Sequence, residues 1–201
     1  MDKLLLGTRN TGKVAELKQL LQGLSYKVVS LDEVKLRRPV VAEETGSSYE
    51  ENALIKARAY AAGSGLLTLG EDSGLEIDAL GGEPGIYSAR YGGEELSFEQ
   101  RFEMILARLQ GRDRRARFRC VMALATPKGQ AVAWEASVEG LIATQPRGEG
   151  GFGYDPIFYL PELGVTMAEL RPGLKNLYSH RGRAALKARQ VLELWAEGVR
   201  A

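Results

Sequence analysis

The segment Leu4–Lys13 constrains the fold of this chain more than any other part of the sequence. Leu4–Leu6 is a short, continuous apolar run closed by Gly7, a pattern typical of a strand buried on both faces. Apolar residues then recur at helical spacing from Val14 to Leu21. The chain therefore opens with a strand, a loop and a helix, the order found in α/β proteins.

The rest of the chain adds strands and helices of both kinds. The pattern predicts strands at Tyr26–Ser30 and Leu66–Leu69, and helices from Ser47 to about Ala62, from Ser97 to about Gln110 and from Ser179 to about Glu197. Two partly alternating runs, from about Ala116 to Thr126 and from about Ala131 to Ala143, predict a long antiparallel hairpin.

These elements predict one α/β domain spanning residues 1–201, with a mixed central β-sheet flanked by helices. The long antiparallel strands of the hairpin belong to this sheet. We expect two lobes, with the active site in the cleft between them.

Composition excludes several classes of partner. Lys and Arg number 27 against 26 Asp and Glu, so the chain has no basic field of the kind that attracts nucleic acid polymers or anionic membranes. The single cysteine, Cys120, excludes an internal disulfide framework. The apolar run near the N-terminus is too short for a signal peptide or a membrane span, so we expect a cytoplasmic protein.

Gly7 to Lys13 match the spacing G-x-x-x-x-G-K of a phosphate-binding loop between a strand and a helix. The next residue is Val14, where a P-loop NTPase needs Ser or Thr to hold Mg²⁺. The spacing alone is equally compatible with a glycine-bearing turn and a solvated lysine. A phosphate-binding role would therefore require metal ligands elsewhere.

Two carboxylates are candidates for that metal. Mg²⁺ in nucleotide enzymes is usually held by one or two carboxylates together with phosphate oxygens. Asp72 follows an apolar strand, where an isolated charge is costly unless it is paired or binds a metal. Glu44 precedes a capped helix. The alternatives are a turn over Glu71–Gly74 for Asp72 and a solvated loop acid for Glu44.

Four further residues carry polar or aromatic groups suited to a nucleotide. Lys56 could reach phosphates from its helix, although a solvated lysine fits the pattern equally. Phe152 lies between glycines, where a base could stack or a small turn could pack. His180 and Arg181 begin the last helix and could donate hydrogen bonds to a ligand oxygen, although a lone histidine is often structural. Neither has a Ser or Cys partner, so covalent catalysis is not indicated.

Taken together and in order, these motifs resemble the inosine triphosphate pyrophosphatase family across nearly the whole chain. The matching segments are Thr8-Arg-Asn-Thr-Gly-Lys13, Glu44-Thr-Gly46, Glu51-Asn52 with Lys56, Glu71-Asp-Ser-Gly74, Gly82-Glu-Pro-Gly-Ile-Tyr-Ser-Ala-Arg90, Phe152-Gly-Tyr-Asp155 and Ser179-His-Arg181. The resemblance implies a homodimeric cytoplasmic enzyme. Its reaction would convert the noncanonical purine nucleotides ITP, dITP and XTP to the monophosphate and pyrophosphate, which cleans the nucleotide pool.

The resemblance also implies a role for individual residues. Substrate contacts are implied for Thr8, Arg9, Asn10, Thr11, Gly12, Lys13, Lys56, Ser73, Phe152, Gly153, Tyr154, Asp155, Lys175, His180 and Arg181. Glu44 and Asp72 are implied as Mg²⁺ ligands, and Asp72 also as the proton acceptor for the attacking water. The side chain of Arg9 is expected to point outward.

The implied reaction is in-line attack of water on the α-phosphorus. His180 and Arg181 would donate to the purine O6, which disfavours ATP because its amino group cannot accept these bonds. GTP shares O6, so its rejection would depend on the shape of the pocket. The alternatives are a pyrophosphatase for modified pyrimidine triphosphates, a P-loop-type NTPase that releases orthophosphate, and a nucleotide sensor without turnover.

Overall fold

The structure, a computed structural model, describes residues 2–198 of the 201-residue chain. Within this part, seven strands form one sheet in the order β2-β1-β3-β4-β5-β6-β7. The strands are β1 Lys3–Leu6, β2 Lys27–Val29, β3 Leu67–Ile77, β4 Arg115–Ala125, β5 Ala131–Ile142, β6 Phe158–Leu160 and β7 Val165–Thr166. β1 pairs in parallel with β2 and β3, whereas β6 pairs antiparallel with β5 and β7. The predicted mixed sheet is confirmed.

The helices are α1 Thr11–Leu20, α2 Tyr49–Ser64, α3 Phe98–Arg108, α4 Pro172–Tyr178 and α5 His180–Gly198. Their N-termini follow from local capping chemistry, because Asn10, Ser48 and Ser97 each accept a hydrogen bond from a backbone N–H of the first turn. α4 is absent from the sequence prediction. Its seven residues are too few for a helical period, and it opens with Pro172-Gly173.

β3 is longer than predicted, and it includes the two acids Glu71 and Asp72. The sequence places its end near Leu69, but the strand continues to Ile77, so Glu71 and Asp72 lie in its middle. The alternative of a turn over Glu71–Gly74 is therefore excluded. The two acids remain in extended backbone because lysines on neighbouring elements pair with them, as described below.

Gly70 allows β3 to lie against α2. A Cβ at this position would be 2.4 Å from the carbonyl oxygen of Ala53 and 2.7 Å from the backbone nitrogen of Ala57. Such distances exclude any side chain. The backbone of the strand therefore approaches the helix closely just before the two acids.

The chain divides into two compact units. The first comprises the described residues up to Asp72, Cys120–Ala136 and those from Arg181 onward, and its core includes Leu6, Leu17 and Leu69. The second comprises Ser73–Arg119 and Ser137–His180, with a core that includes Ile77, Phe118 and Phe158. No helix among residues 2–198 has the length and apolarity needed to cross a membrane.

Candidate active site

The first unit contains the predicted phosphate loop, which we define as Gly7–Lys13. The backbone N–H of Gly7 donates to the carbonyl of Leu69 over 2.8 Å, which fixes the start of the loop on β3. The side chain of Asn10 caps α1 by accepting from the backbone N–H of Lys13 over 3.0 Å. The loop therefore leads directly into the N-terminus of α1, where backbone N–H groups and the helix dipole favour an anion.

The side chains of the loop fit this arrangement. Thr8 is nearly buried, and its hydroxyl accepts from the backbone N–H of Asn10 over 3.2 Å. Arg9 is exposed, as predicted. Val14 packs against the core of the first unit, so this position has no metal-binding role.

Lys13 is held by a buried acid. Its ammonium lies 2.9 Å from Glu71 Oε2, and the other oxygen of Glu71 accepts from the guanidinium of Arg181 over 3.2 Å. Arg181 also donates to Glu16 over 2.7 Å. These four residues form a largely buried ionic network that joins α1, β3 and α5.

The network keeps Glu71 ionised in spite of its burial. Burial by itself favours the neutral acid, but the charges of Arg181 and Lys13 outweigh it and hold the pKa of Glu71 well below its usual range. The thiol of Cys120 lies 3.4 Å from Glu71, and burial raises its pKa well above the ordinary value. Cys120 is thus a protonated thiol of the core.

Lys56 brings the two predicted metal ligands together. Its ammonium donates to Glu44 Oε1 and to Asp72 Oδ1, each over 2.9 Å. The two carboxylate oxygens therefore lie no further apart than twice that distance. A cation is already the common partner of both acids, and an oxygen-only donor set is what Mg²⁺ prefers.

Asp72 is buried, and desolvation raises its pKa above the ordinary value although Lys56 acts in the opposite direction. A carboxylate with a raised pKa is a stronger proton acceptor. Among residues 2–198, no group of three or more His, Cys, Asp or Glu side chains is placed to hold a metal ion. A metal at Glu44 and Asp72 would therefore need further oxygens from substrate or water.

The second unit contains the predicted base-side residues. Asp155 Oδ2 accepts from the ammonium of Lys175 over 2.6 Å and from the backbone N–H of Phe152 over 2.8 Å. The Lys175 ammonium also lies 4.9 Å from the centre of the Phe152 ring. Gly151 is necessary here, because a Cβ at this residue would lie 2.1 Å from Asp155 Oδ2.

Aromatic packing fixes the neighbouring side chains of this unit. The hydroxyl of Tyr154 donates to the carbonyl of Ser88 over 2.9 Å, and its ring meets that of Phe98 edge-on. His180 is buried and stacks on Phe118 with ring centres 4.6 Å apart. The histidine thus has a structural contact in addition to any role toward a ligand.

The predicted site residues divide between the two units. The first unit brings together the phosphate loop, Glu44, Lys56, Asp72 and Arg181, whereas Ser73, Phe152–Asp155, Lys175 and His180 belong to the second. The boundary passes between Asp72 and Ser73 and between His180 and Arg181, which are consecutive pairs.

This combination of a phosphate loop, a lysine between two acids and a Phe-Gly-Tyr-Asp turn was compared with known proteins. A sequence model of the Ham1 family matches residues 4–191. The chain belongs to the Ham1 family. The resemblance inferred from the motifs is thereby confirmed.

Relatives in the Ham1 family match this chain over almost its whole length. A protein of Thermus thermophilus named dITP/XTP pyrophosphatase is 49% identical, with 98% of this chain and 93% of that protein covered. A protein of Bacillus subtilis with the same name is 45% identical, with 96% of this chain and 98% of that protein covered. The solved structure of a HAM1 protein from Coxiella burnetii is similar with a TM-score of 0.86 and 42% identity, covering 96% of this chain and 99% of that chain.

Sequence reasoning assigned no role to three polar side chains of the first unit. Glu71 and Asn52 are fully buried, and Glu16 binds Arg181. A signal existed for Glu71, because it neighbours Asp72 on an apolar strand where a charge requires a partner. Asn52 lies in the Glu51-Asn52 motif, which assigned it no role, and no local pattern indicated Glu16, whose partner Arg181 is distant in sequence.

Proposed function

We propose that this chain hydrolyses the noncanonical purine nucleoside triphosphates dITP, ITP and XTP to the nucleoside monophosphate and pyrophosphate. The observation that carries the proposal is the 49% identity over 198 residues to a protein named dITP/XTP pyrophosphatase. The reaction removes damaged purines from the nucleotide pool.

The charges of the first unit suit a triphosphate. Lys13 and the N-terminus of α1 supply positive charge at the phosphate loop, and Lys56 supplies a second cation beside Asp72. Because Glu71 holds Lys13 by its ammonium, this lysine is positioned before substrate arrives. The side chain of Lys13 therefore loses less conformational freedom when the substrate binds.

Asp72 is the proposed proton acceptor. Its carboxylate would take a proton from the water that attacks the α-phosphorus, and the bond from that phosphorus to the bridging α–β oxygen would break. Pyrophosphate leaves with the bridging oxygen, and the oxygen of water stays on the monophosphate. Lys56 beside Asp72 would orient this carboxylate and neutralise phosphate charge.

Mg²⁺ is the proposed cofactor, held by Glu44 and Asp72, where it would screen the phosphate charges and polarise the attacked phosphorus. The shared contact of both acids with the Lys56 ammonium supports this assignment, since it places the two carboxylates close together.

Base selection is proposed for the second unit together with Arg181. Phe152 would stack on the purine, with Lys175 and Asp155 beside it. His180 and Arg181 would donate to O6, which favours hypoxanthine and xanthine over adenine. Ser73 would contact the substrate next to Asp72. A homodimeric state and a cytoplasmic location are also proposed, from the resemblance.

Product analysis tests the reaction. With MgCl₂ and ITP, the purified chain should yield IMP and pyrophosphate, detected as orthophosphate only after inorganic pyrophosphatase is added. In ¹⁸O-labelled water, the label should enter IMP and not pyrophosphate. IDP with orthophosphate, or label in pyrophosphate, would contradict the proposal.

A substrate panel tests the specificity. We expect dITP, ITP and XTP to be hydrolysed in preference to ATP, GTP, dTTP and UTP. A preference for dTTP or UTP would favour a pyrimidine enzyme instead. The Asp72→Asn variant, prepared in parallel, shows whether a contaminating hydrolase contributes to the rates.

A further inference from the structure

Asn52 is a completely buried polar side chain on α2 that the proposed chemistry does not use. Its Oδ1 accepts from the backbone N–H of Gly46 over 2.9 Å, and its Nδ2 donates to Asp72 Oδ2 over 3.4 Å. A backbone N–H requires an acceptor and a carboxylate requires a donor, so these partners fix which way the amide points.

The contact with Gly46 fixes the backbone near Glu44. Residues 39–46 form neither helix nor strand, so the position of Glu44 depends on contacts such as this one. Gly46 approaches α2 so closely that a Cβ would lie 2.7 Å from Asn52 Oδ1. The next residue, Ser47, is also tied to the helix, because its backbone N–H donates to Glu51 over 2.6 Å.

The contact with Asp72 complements that of Lys56. Asn52 and Lys56 are four residues apart on α2 and therefore share a face. Lys56 donates to Oδ1 of Asp72 and Asn52 donates to Oδ2, so each carboxylate oxygen has its own partner. The charge of Lys56 opposes a metal ion nearby, whereas the neutral amide of Asn52 does not.

We propose that Asn52 is a positioning residue for the cation site: it holds the Asp72 carboxylate through Nδ2 and the segment of Glu44 through Oδ1. This inference rests on the proposed function, because it assumes that Glu44 and Asp72 share a metal ion. Residues that hydrogen-bond to metal ligands typically change metal affinity by about 10-fold to 100-fold when they are removed.

The test compares Asn52→Ala with Ser48→Ala. Ser48 caps the same end of α2 by accepting from the backbone N–H of Glu51 over 3.1 Å, but no hydrogen bond of Ser48 reaches Gly46 or Asp72 among the side-chain bonds described for this unit. Each substitution removes a hydrogen bond near the start of α2. Only Asn52→Ala removes the two contacts proposed to position Glu44 and Asp72.

The first readout is binding of Mn²⁺ alone, followed by the electron paramagnetic resonance signal of the free ion. We expect Asn52→Ala to weaken Mn²⁺ binding about 10-fold or more, and Ser48→Ala to leave it within about 2-fold of the parent chain. Asn52→Leu, which keeps the branching of asparagine at Cγ without its hydrogen-bonding groups, repeats the test with the space in the core filled.

The second readout is kinetic. In Asn52→Ala, the Mg²⁺ concentration for half-maximal dITP hydrolysis should rise, while KM for dITP at saturating Mg²⁺ should change little. Equal Mn²⁺ affinity in the parent chain and Asn52→Ala, or equal losses in Asn52→Ala and Ser48→Ala, would overturn the inference. A parent chain that binds no Mn²⁺ and hydrolyses no dITP would instead overturn the proposed function.

Discussion

The ammonium of Lys13 lies 2.9 Å from Glu71, whose side chain has no exposed surface. The other oxygen of Glu71 lies 3.2 Å from a guanidinium nitrogen of Arg181. One buried acid therefore holds a lysine of the phosphate loop and an arginine at the start of the last helix.

Glu71→Gln keeps the size of this side chain and removes its charge. Two buried cations lose their shared counter-charge, so the free energy of unfolding should fall by roughly 3–5 kcal/mol in urea titrations. KM for dITP should also rise, because Lys13 loses its anchor. Glu139→Gln is the control, since Glu139 pairs with Arg117 on the surface. Equal urea midpoints for the two variants would contradict the role of Glu71.

Asp72→Asn should abolish most turnover while the fold is retained. Asparagine cannot accept the proton of the attacking water, so kcat should fall by about 10²–10⁴-fold. Asp78→Asn makes the same chemical change at a partly exposed acid paired with Arg117 and should leave kcat unchanged. Pyrophosphate release gives the rates, and circular dichroism reports the fold. A variant as active as the parent chain would remove Asp72 from the mechanism.

Gly151→Ala should disturb the base-side turn specifically. Gly151 has φ +72°, and a Cβ would lie 2.1 Å from Asp155 Oδ2, so Asp155 and Lys175 must shift. Gly164 has nearly the same backbone conformation, φ +70°, but a Cβ there meets nothing within 4 Å. Both alanine variants should lose roughly 1–2 kcal/mol from the left-handed backbone. Only Gly151→Ala should also raise KM for dITP, and equal KM values would argue against this turn as the base site.

Removal of Mg²⁺ with EDTA should stop dITP hydrolysis, and added MgCl₂ should restore it. Glu44→Gln should raise the Mg²⁺ concentration needed for half-maximal rate, because one of two proposed carboxylate ligands is lost. Glu43→Gln, a change at the exposed neighbouring residue, should have no such effect. Activity that persists in EDTA would contradict a metal-dependent reaction.

Alkaline pH should destabilise the fold through Tyr154. Burial raises the pKa of its phenol above the ordinary value, so the folded chain retains a proton that the unfolded chain releases near pH 10. The stabilisation by the protonated phenol is therefore complete below about pH 10. Above that pH the free energy of unfolding falls by at most about 1.4 kcal/mol per pH unit. Tyr154→Phe should reduce this slope in urea titrations, whereas Tyr87→Phe, at an exposed tyrosine, should not.

Local patterns predicted most of the elements, because each depends on neighbouring residues. The apolar run Leu4–Leu6 gave β1, and the helices predicted from Ser47 and from Ser97 correspond to α2 and α3. The hairpin of β4 and β5 followed from two partly alternating runs separated by four residues, a connection too short for parallel strands. α4 was missed because seven residues give no clear period.

The motifs by themselves determined the family and the candidate site residues, because residue type and spacing are properties of the chain. Only the tertiary structure decided the partners of these residues. The Glu71–Gly74 segment has the composition of a turn, but Lys13 and Lys56 stabilise its acids within β3. The pairing of Glu44 with Asp72 through Lys56, and the contact of Asn52 with Asp72, join residues distant in sequence. Such contacts depend on how α2 packs on β3, and local sequence does not contain that information.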